Sequence, residues 1–177
     1  MAFIDPAQVV PLFGLKPDMV VADFGCATGT YAMLLSRAVL PNGKVYAVDV
    51  QRDLLVALKS KFQDEHIGNV ELLWGDLDKV GGSKIADRVV DFVLASNILF
   101  QMEDKGYTLA LEAKRVLKPD GRAVVIDWLD SFGNMGPHAD QIVTKDMAQK
   151  AFTAAGFEVE REFVPGEHHY GLIMKKR

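Results

Sequence analysis

Apolar positions along the chain follow two alternating rhythms. Continuous apolar runs rich in Val, Ile and aromatic residues occur at MVVADF from Met19, KVYAVDV from Lys44, VELLWG from Val70, VVDFVLAS from Val89 and RAVVIDWL from Arg122. Runs of this length, bounded by Gly, Asp or Asn, read as strands. Between them the apolar residues recur at helical spacing. TYAMLLSRAV places Met33, Leu34 and Ala38 on one face, and RDLLVALKSKF does the same with Leu54, Leu55, Leu58 and Phe62. EDKGYTLALEAKRVL aligns Leu109, Ala113, Val116 and Leu117, and TKDMAQKAFTAAG offers Thr144 as N-cap and Gly156 as its stop. Two further strand-like runs follow, FEVEREFV from Phe157 and GLIMKK from Gly171.

Strand–helix alternation predicts right-handed crossovers and a mainly parallel sheet with helices on both faces. Strands apolar on both sides fit that burial. The last two runs are separated only by PGEHHY, too short for a crossover helix, so they must pair as an antiparallel hairpin. The predicted fold class is therefore α/β: Rossmann-like and doubly wound, seven strands, the last antiparallel. PAQVVPLFG predicts a short helix, making residues 1–17 a helical lead-in, and residues 1–177 read as one domain.

Composition narrows the function classes. The formal net charge of −4 gives no basic surface for phosphates, so no nucleic-acid partner is expected. One cysteine, Cys26, excludes an internal disulfide and a Cys-rich zinc site, and no metal is expected. The N-terminus lacks the basic-then-apolar order of a secretory signal, and no apolar run is long enough for a membrane helix. These features predict a cytoplasmic protein.

The candidate chemistry lies in VVADFGCATGTY, where small residues Gly25, Ala27 and Gly29 follow the first strand. In an open parallel sheet, ligands bind beyond the carboxyl ends of the strands. A nearly side-chain-free loop there lets a ligand approach the backbone, and the following helix points N–H groups at it. Asp23, Asp49 and Asp76 end the first three strands. Asp49 can accept from two ribose hydroxyls, and Asp76 suits an exocyclic amino group. Such a strand-end carboxylate is expected to serve the ligand alone and to add nothing to the stability of the empty protein.

VVADFGCATGTY, VYAVDV, LLWGDL, VLASNILFQMED and RVLKPDGRAVVIDW together resemble, in order, the motifs of class I S-adenosylmethionine-dependent methyltransferases, over about residues 15–176. The resemblance is to the small-molecule branch related to quinone-biosynthesis methyltransferases. It implies S-adenosyl-L-methionine as cofactor and in-line methyl transfer to a small-molecule acceptor. It places Gly25, Cys26, Ala27 and Gly29 along the methionyl part, with Asp23 at its amino group. It gives Asp49 to the ribose with Val50 beside the adenine, Asp76 to the adenine amino group with Leu77 alongside, and Ser96 and Asn97 to the methionyl and sulfonium region. Ala27 stands where glycine is frequent. Phe100 and Gln101 stand where many relatives carry histidines, which leaves the acceptor open.

No catalytic residue follows from the motifs, because in-line transfer needs a base only for a protonated nucleophile. Topology brings PGEHHY and the residues after the fifth strand to the ligand edge. Trp128, His138, His168, His169 and Tyr170 are therefore the candidate acceptor contacts, either as such or as a polar rim. The short segment between Trp128 and Thr144 supplies little cover, so a homodimer mate or a partner could complete the pocket. Two other readings stay open: a non-catalytic cofactor-binding subunit of a partner enzyme, and an NAD(P)-dependent oxidoreductase, which shares the glycine loop and the second acid.

Overall fold

The computed structural model describes residues 4–132 and 135–177. The strands are β1 (Val20–Phe24), β2 (Lys44–Asp49), β3 (Val70–Trp74), β4 (Val90–Ser96), β5 (Leu117–Trp128), β6 (Phe157–Gly166) and β7 (His169–Lys176). They form one seven-stranded sheet in the order β3-β2-β1-β4-β5-β7-β6. β1, β2, β3, β4 and β5 pair in parallel. β7 runs antiparallel to both β5 and β6, as the short hairpin requires. The strand order reverses between β1 and β4, which opens a crevice at their carboxyl ends.

The helices are α1 (Pro6–Val9), α2 (Thr30–Ala38), α3 (Arg52–Asp64), α4 (Tyr107–Val116) and α5 (Lys145–Ala154). Alternating strand residues feed two cores. On one face Val21, Val45, Leu94, Val124 and Ile126 pack with the N-terminal segment, α2 and α3; on the other Ala22, Phe24, Val93 and Val125 pack with α4 and α5. Central strands covered on both sides need apolar residues at every position, which is the continuous run seen in sequence. Thr144 caps α5 as expected, its Oγ1 accepting the Met147 N–H at 3.3 Å. Among the described residues no helix is long and apolar enough to cross a membrane.

Four boundaries or faces differ from the sequence expectation. In α2 the buried residues are Ala32, Leu35 and Ser36, while Met33, Leu34 and Ala38 are half-buried. Ser36 is admitted there because its hydroxyl donates to Met33 O at 2.7 Å. α4 starts at Tyr107, because Gly106 enters it at φ 95 and Asp104 accepts the Gly106 and Thr108 N–H groups at 3.0 and 2.8 Å. β5 starts early: Leu117 already pairs with Val90, and the register then shifts before Arg122 pairs with Phe92. The KPDG segment is thus a bulge inside the strand, with Asp120 at φ 60. β7 begins at His169, paired with Trp128, so only Glu167 and His168 form the hairpin turn.

Candidate active site

A cavity of about 600 Å³ lies at the carboxyl edge of β1–β4. Its walls are the segments that leave those strands: Asp23 to Ala27, Asp49 to Gln51, Gly75 to Asp78, and Ser96 to Ile98. The volume is that of a small-molecule or cofactor site. Four carboxylates line it, from Asp23, Asp49, Asp76 and Asp78, and among the described residues no Lys, Arg or His does.

The glycine loop is bare for a reason different from the one its sequence suggests. A Cβ on Gly25 would sit 2.6 Å from Ile98 Cδ1, and one on Gly29 would sit 2.4 Å from Leu58 Cδ2. Both residues adopt the left-handed region, at φ 78 and φ 74. The missing side chains therefore make room for the protein's own core and for the turn, not for a ligand at those two atoms. Gly29 opens α2 at its N-terminus and is not part of the cavity wall, whereas Gly25, Cys26 and Ala27 are. Ala27 itself sits at φ 43, which explains why a glycine would suit this position.

Asp49 holds this loop in place. Its Oδ2 accepts the Ala27 N–H at 2.9 Å and its Oδ1 accepts the Gln51 N–H at 2.9 Å. The side chain is buried, and each oxygen keeps a second lone pair for a ligand hydroxyl. The expectation that this carboxylate adds nothing to the empty protein is corrected: it ties two strand ends together.

Asp23 is the most unusual group. It is 2% exposed, and its Oδ2 has no hydrogen-bond partner. Burial raises its pKa to about 7, with Asp49 adding to the rise and the Ala32 amide opposing it. Asn97 Oδ1 is likewise buried without a partner, and the buried Tyr31 OH and Ser96 Oγ interact only with each other; all four residues line the cavity. Buried polar atoms are normally paired, so these under-satisfied atoms around one cavity mark a surface shaped for a polar ligand. Asn97 reaches the site from φ 54, in the sparsely populated left-handed region. Burial also raises Tyr31 to about 12 and pushes the Cys26 thiol well above its usual range. Cys26 is therefore a protonated, inert wall residue.

On the β3 side Asp76 is half-exposed. Its Oδ2 meets Lys79 Nζ at 2.7 Å and its Oδ1 accepts the Asp78 N–H at 3.1 Å. Lys79 and that amide hold its carboxyl below the usual range. Val50 is exposed and Leu77 buried, both on the wall. Trp74 stays outside it, donating Nε1–H to Val50 O at 3.0 Å under the Arg52 guanidinium.

The five candidate acceptor contacts do not line this cavity. Tyr170 is a core residue whose hydroxyl donates to Val143 O at 2.9 Å. His169 is 2% exposed, with its ring 4.1 Å from Trp128, and burial lowers its pKa to about 4, so it stays neutral. His168 Nδ1 lies 2.8 Å from Asp130 Oδ1 and its ring stacks on Phe132. His138 is exposed. The early start of β7 is the cause: it draws His169 and Tyr170 into the sheet, two strands beyond β4. Residues not singled out from the sequence do line the site: Pro6, Thr28, Thr30, Tyr31, Gln51 and Met102. Tyr31, just after the glycine loop, carried the one readable signal, a polar aromatic at the first turn of α2.

Comparison with known proteins agrees with this geometry. The family profile described as "Methyltransferase domain" matches residues 15–170. The chain is similar to a demethylmenaquinone methyltransferase of Lactococcus lactis, 31% identical over 121 residues, which are 68% of this chain and 46% of that protein. A demethylmenaquinone methyltransferase of a Geobacillus species is 29% identical over 105 residues, 59% of this chain and 43% of that one. The chain thus spans less than half the length of these curated relatives. Among solved structures, a SAM-dependent methyltransferase from Aquifex aeolicus superposes with a TM-score of 0.88 at 29% identity, covering 98% of this chain and 90% of that one. With profile, superposition and strand-end acids in agreement, the chain belongs to the methyltransferase domain family and is a class I S-adenosylmethionine-dependent methyltransferase domain.

Proposed function

We propose that the cavity holds S-adenosylmethionine across the ends of β1–β4 and that the domain methylates a small, uncharged or cationic acceptor. The observation that carries this reading is the charge of the wall: among the described residues it has four carboxylates and no cationic side chain, with Asp23 Oδ2 unpartnered. Such a wall favours a ligand bearing ammonium and sulfonium charges and disfavours a diphosphate, which counts against an NAD(P) cofactor. When bound, the cofactor supplies a methyl group on a positively charged sulfur.

In this reading Asp23 Oδ2 accepts from the amino group and Asp49 from the ribose hydroxyls. Asp76 takes the adenine amino group between Val50 and Leu77. Gly25, Cys26 and Ala27 lie along the methionyl chain, with Ser96 and Asn97 near the sulfur. Tyr31, Gln101, Met102 and Pro6, on the remaining wall, face the acceptor. The protein's contribution is orientation and water exclusion, because a displacement held in line gains most of its rate from positioning. The relatives named demethylmenaquinone methyltransferases make a quinone-like ring the first acceptor to test. The reading takes residues 1–177 as one domain working in the cytoplasm, with a second copy or a partner completing the open side of the pocket.

Calorimetry is expected to give micromolar dissociation constants for S-adenosylmethionine and S-adenosylhomocysteine and no signal for NAD. Binding of NAD with no response to either sulfur compound would overturn the reading. Turnover of S-adenosylmethionine with a panel of quinone-like and phenolic acceptors separates an enzyme from a non-catalytic binding subunit.

A further inference from the structure

Glu112 lies on α4, outside the cavity, and is completely buried. Its Oε2 accepts the Gly81 N–H at 2.6 Å, and its Oε1 accepts the Ser83 N–H at 3.0 Å. Arg115 closes the other side, with Nε donating to Oε2 at 2.9 Å and Nη2 to Oε1 at 2.7 Å. The same Nη2 donates to Ile85 O at 2.8 Å. Burial alone would raise the Glu112 carboxyl, but Arg115 and the Ser83 and Gly81 donors hold it below the usual range. A fully buried carboxylate is tolerated only with such complete pairing, so the arrangement is rigid and would be costly to half-dismantle.

The turn it grips is locked to the β3 wall of the cavity. Gly82 O accepts the Asp76 N–H at 3.1 Å, and the Gly82 N–H donates to Lys79 O at 2.9 Å. Lys79 in turn pairs with the Asp76 carboxylate. A Cβ on Gly82 would lie 1.7 Å from Asp76 O, so the turn and the wall fit against each other with no slack. Displacing Gly81 or Ser83 therefore pulls on the Asp76 backbone through Gly82 O, and on the Lys79 segment whose side chain pairs with the Asp76 carboxylate.

We propose that the Glu112–Arg115 pair is a positioning device that sets Asp76 to read the 6-amino group of adenine, so that cofactor base selectivity is determined from α4. This rests on the reading that Asp76 receives the adenine end. The selectivity is measured as the ratio of dissociation constants for S-adenosylhomocysteine and its 6-oxo analogue S-inosylhomocysteine, which presents an acceptor where adenine presents a donor.

The wild-type protein is expected to prefer the adenine form by about 10- to 100-fold, the range for one hydrogen bond to a carboxylate. Glu112→Gln, which sets an amide N–H against the Gly81 or Ser83 N–H, is expected to lower that preference about tenfold. A purely structural role would lower the melting temperature and leave the ratio alone, so an unchanged ratio in folded Glu112→Gln overturns the proposal. Arg115→Lys keeps the charge but loses the fork; it is expected to lower the ratio in the same sense and decides the matter if Glu112→Gln does not fold. Asp76→Ala is the separate arm: a preference that survives it would show that Asp76 does not read the base, which is the failure of the underlying assignment and not of the clamp.

Discussion

Asp49→Ala is expected to damage the empty protein as well as the cofactor complex. On the proposed placement of the ribose, it removes in the complex an acceptor for two hydroxyls, charge-assisted bonds that together are worth about 2–4 kcal/mol, or about 30- to 1000-fold in affinity. Without cofactor it leaves the Ala27 and Gln51 N–H groups, now bound at 2.9 Å each, without their acceptor. Leaving partly buried amides unpaired costs about 1–3 kcal/mol, and each kcal/mol lowers the melting temperature of a domain of this size by about 2–4 °C. Calorimetry with S-adenosylhomocysteine and a thermal melt without it read the two effects separately. Asp49→Asn, which keeps one oxygen, should fall between the wild type and Asp49→Ala in both. Affinity unchanged in the alanine variant would remove Asp49 from the ribose site, whatever the melt shows.

Asp49 also shows what sequence can and cannot reveal. Three acids at three strand ends are visible because strands announce themselves by apolar runs and the acids stand where the runs stop. The contact between Asp49 and the Ala27 amide is not visible, because it depends on the φ 43 turn that aims that N–H at β2. The Glu112 clamp was largely hidden: within α4 Glu112 and Arg115 look like one more i,i+3 ion pair on a helix surface, and the amides that Glu112 accepts from lie 29 and 31 residues away. The antiparallel β7 was legible because six residues cannot cross a sheet, yet that same argument misplaced the histidines. It fixed the direction of the hairpin and not where pairing begins; pairing of His169 with Trp128 then buried a ring expected at the rim. Segment type follows from local pattern, whereas the first paired residue depends on which strand lies alongside.

Asp23→Asn is expected to stabilise the cofactor-free protein at pH 8 while destroying its affinity for S-adenosylmethionine. Burial raises the Asp23 carboxyl to about 7 from an ordinary value of 3.8. Between those two values the folded protein binds a proton that the unfolded chain has lost. Stability from this group is therefore present at low pH and declines as pH rises from about 4 to about 7. The full shift corresponds to a penalty on the order of 4 kcal/mol at pH 8. An Asn amide carries no charge to desolvate but still needs partners in the same place, so the expected net gain is smaller, about 1–3 kcal/mol. An ammonium group in the cavity would reverse the penalty: the cation stabilises the ionised form and expels the proton. Wild-type affinity for S-adenosylmethionine should thus rise up to about tenfold per pH unit below about pH 7 and level off above it. In Asp23→Asn the affinity should fall at least about 100-fold at pH 8, and the slope assigned to Asp23 should vanish. Asp127, also buried and raised to about 6, titrates in the same window, but it accepts the Leu99 and Trp128 N–H groups at 2.8 Å each and is common to both proteins. Its contribution cancels in the comparison. A variant that melts lower than the wild type at pH 8, or that binds with an unaltered pH profile, would show that Asp23 is not the strained carboxylate on which the cofactor's amino group lands.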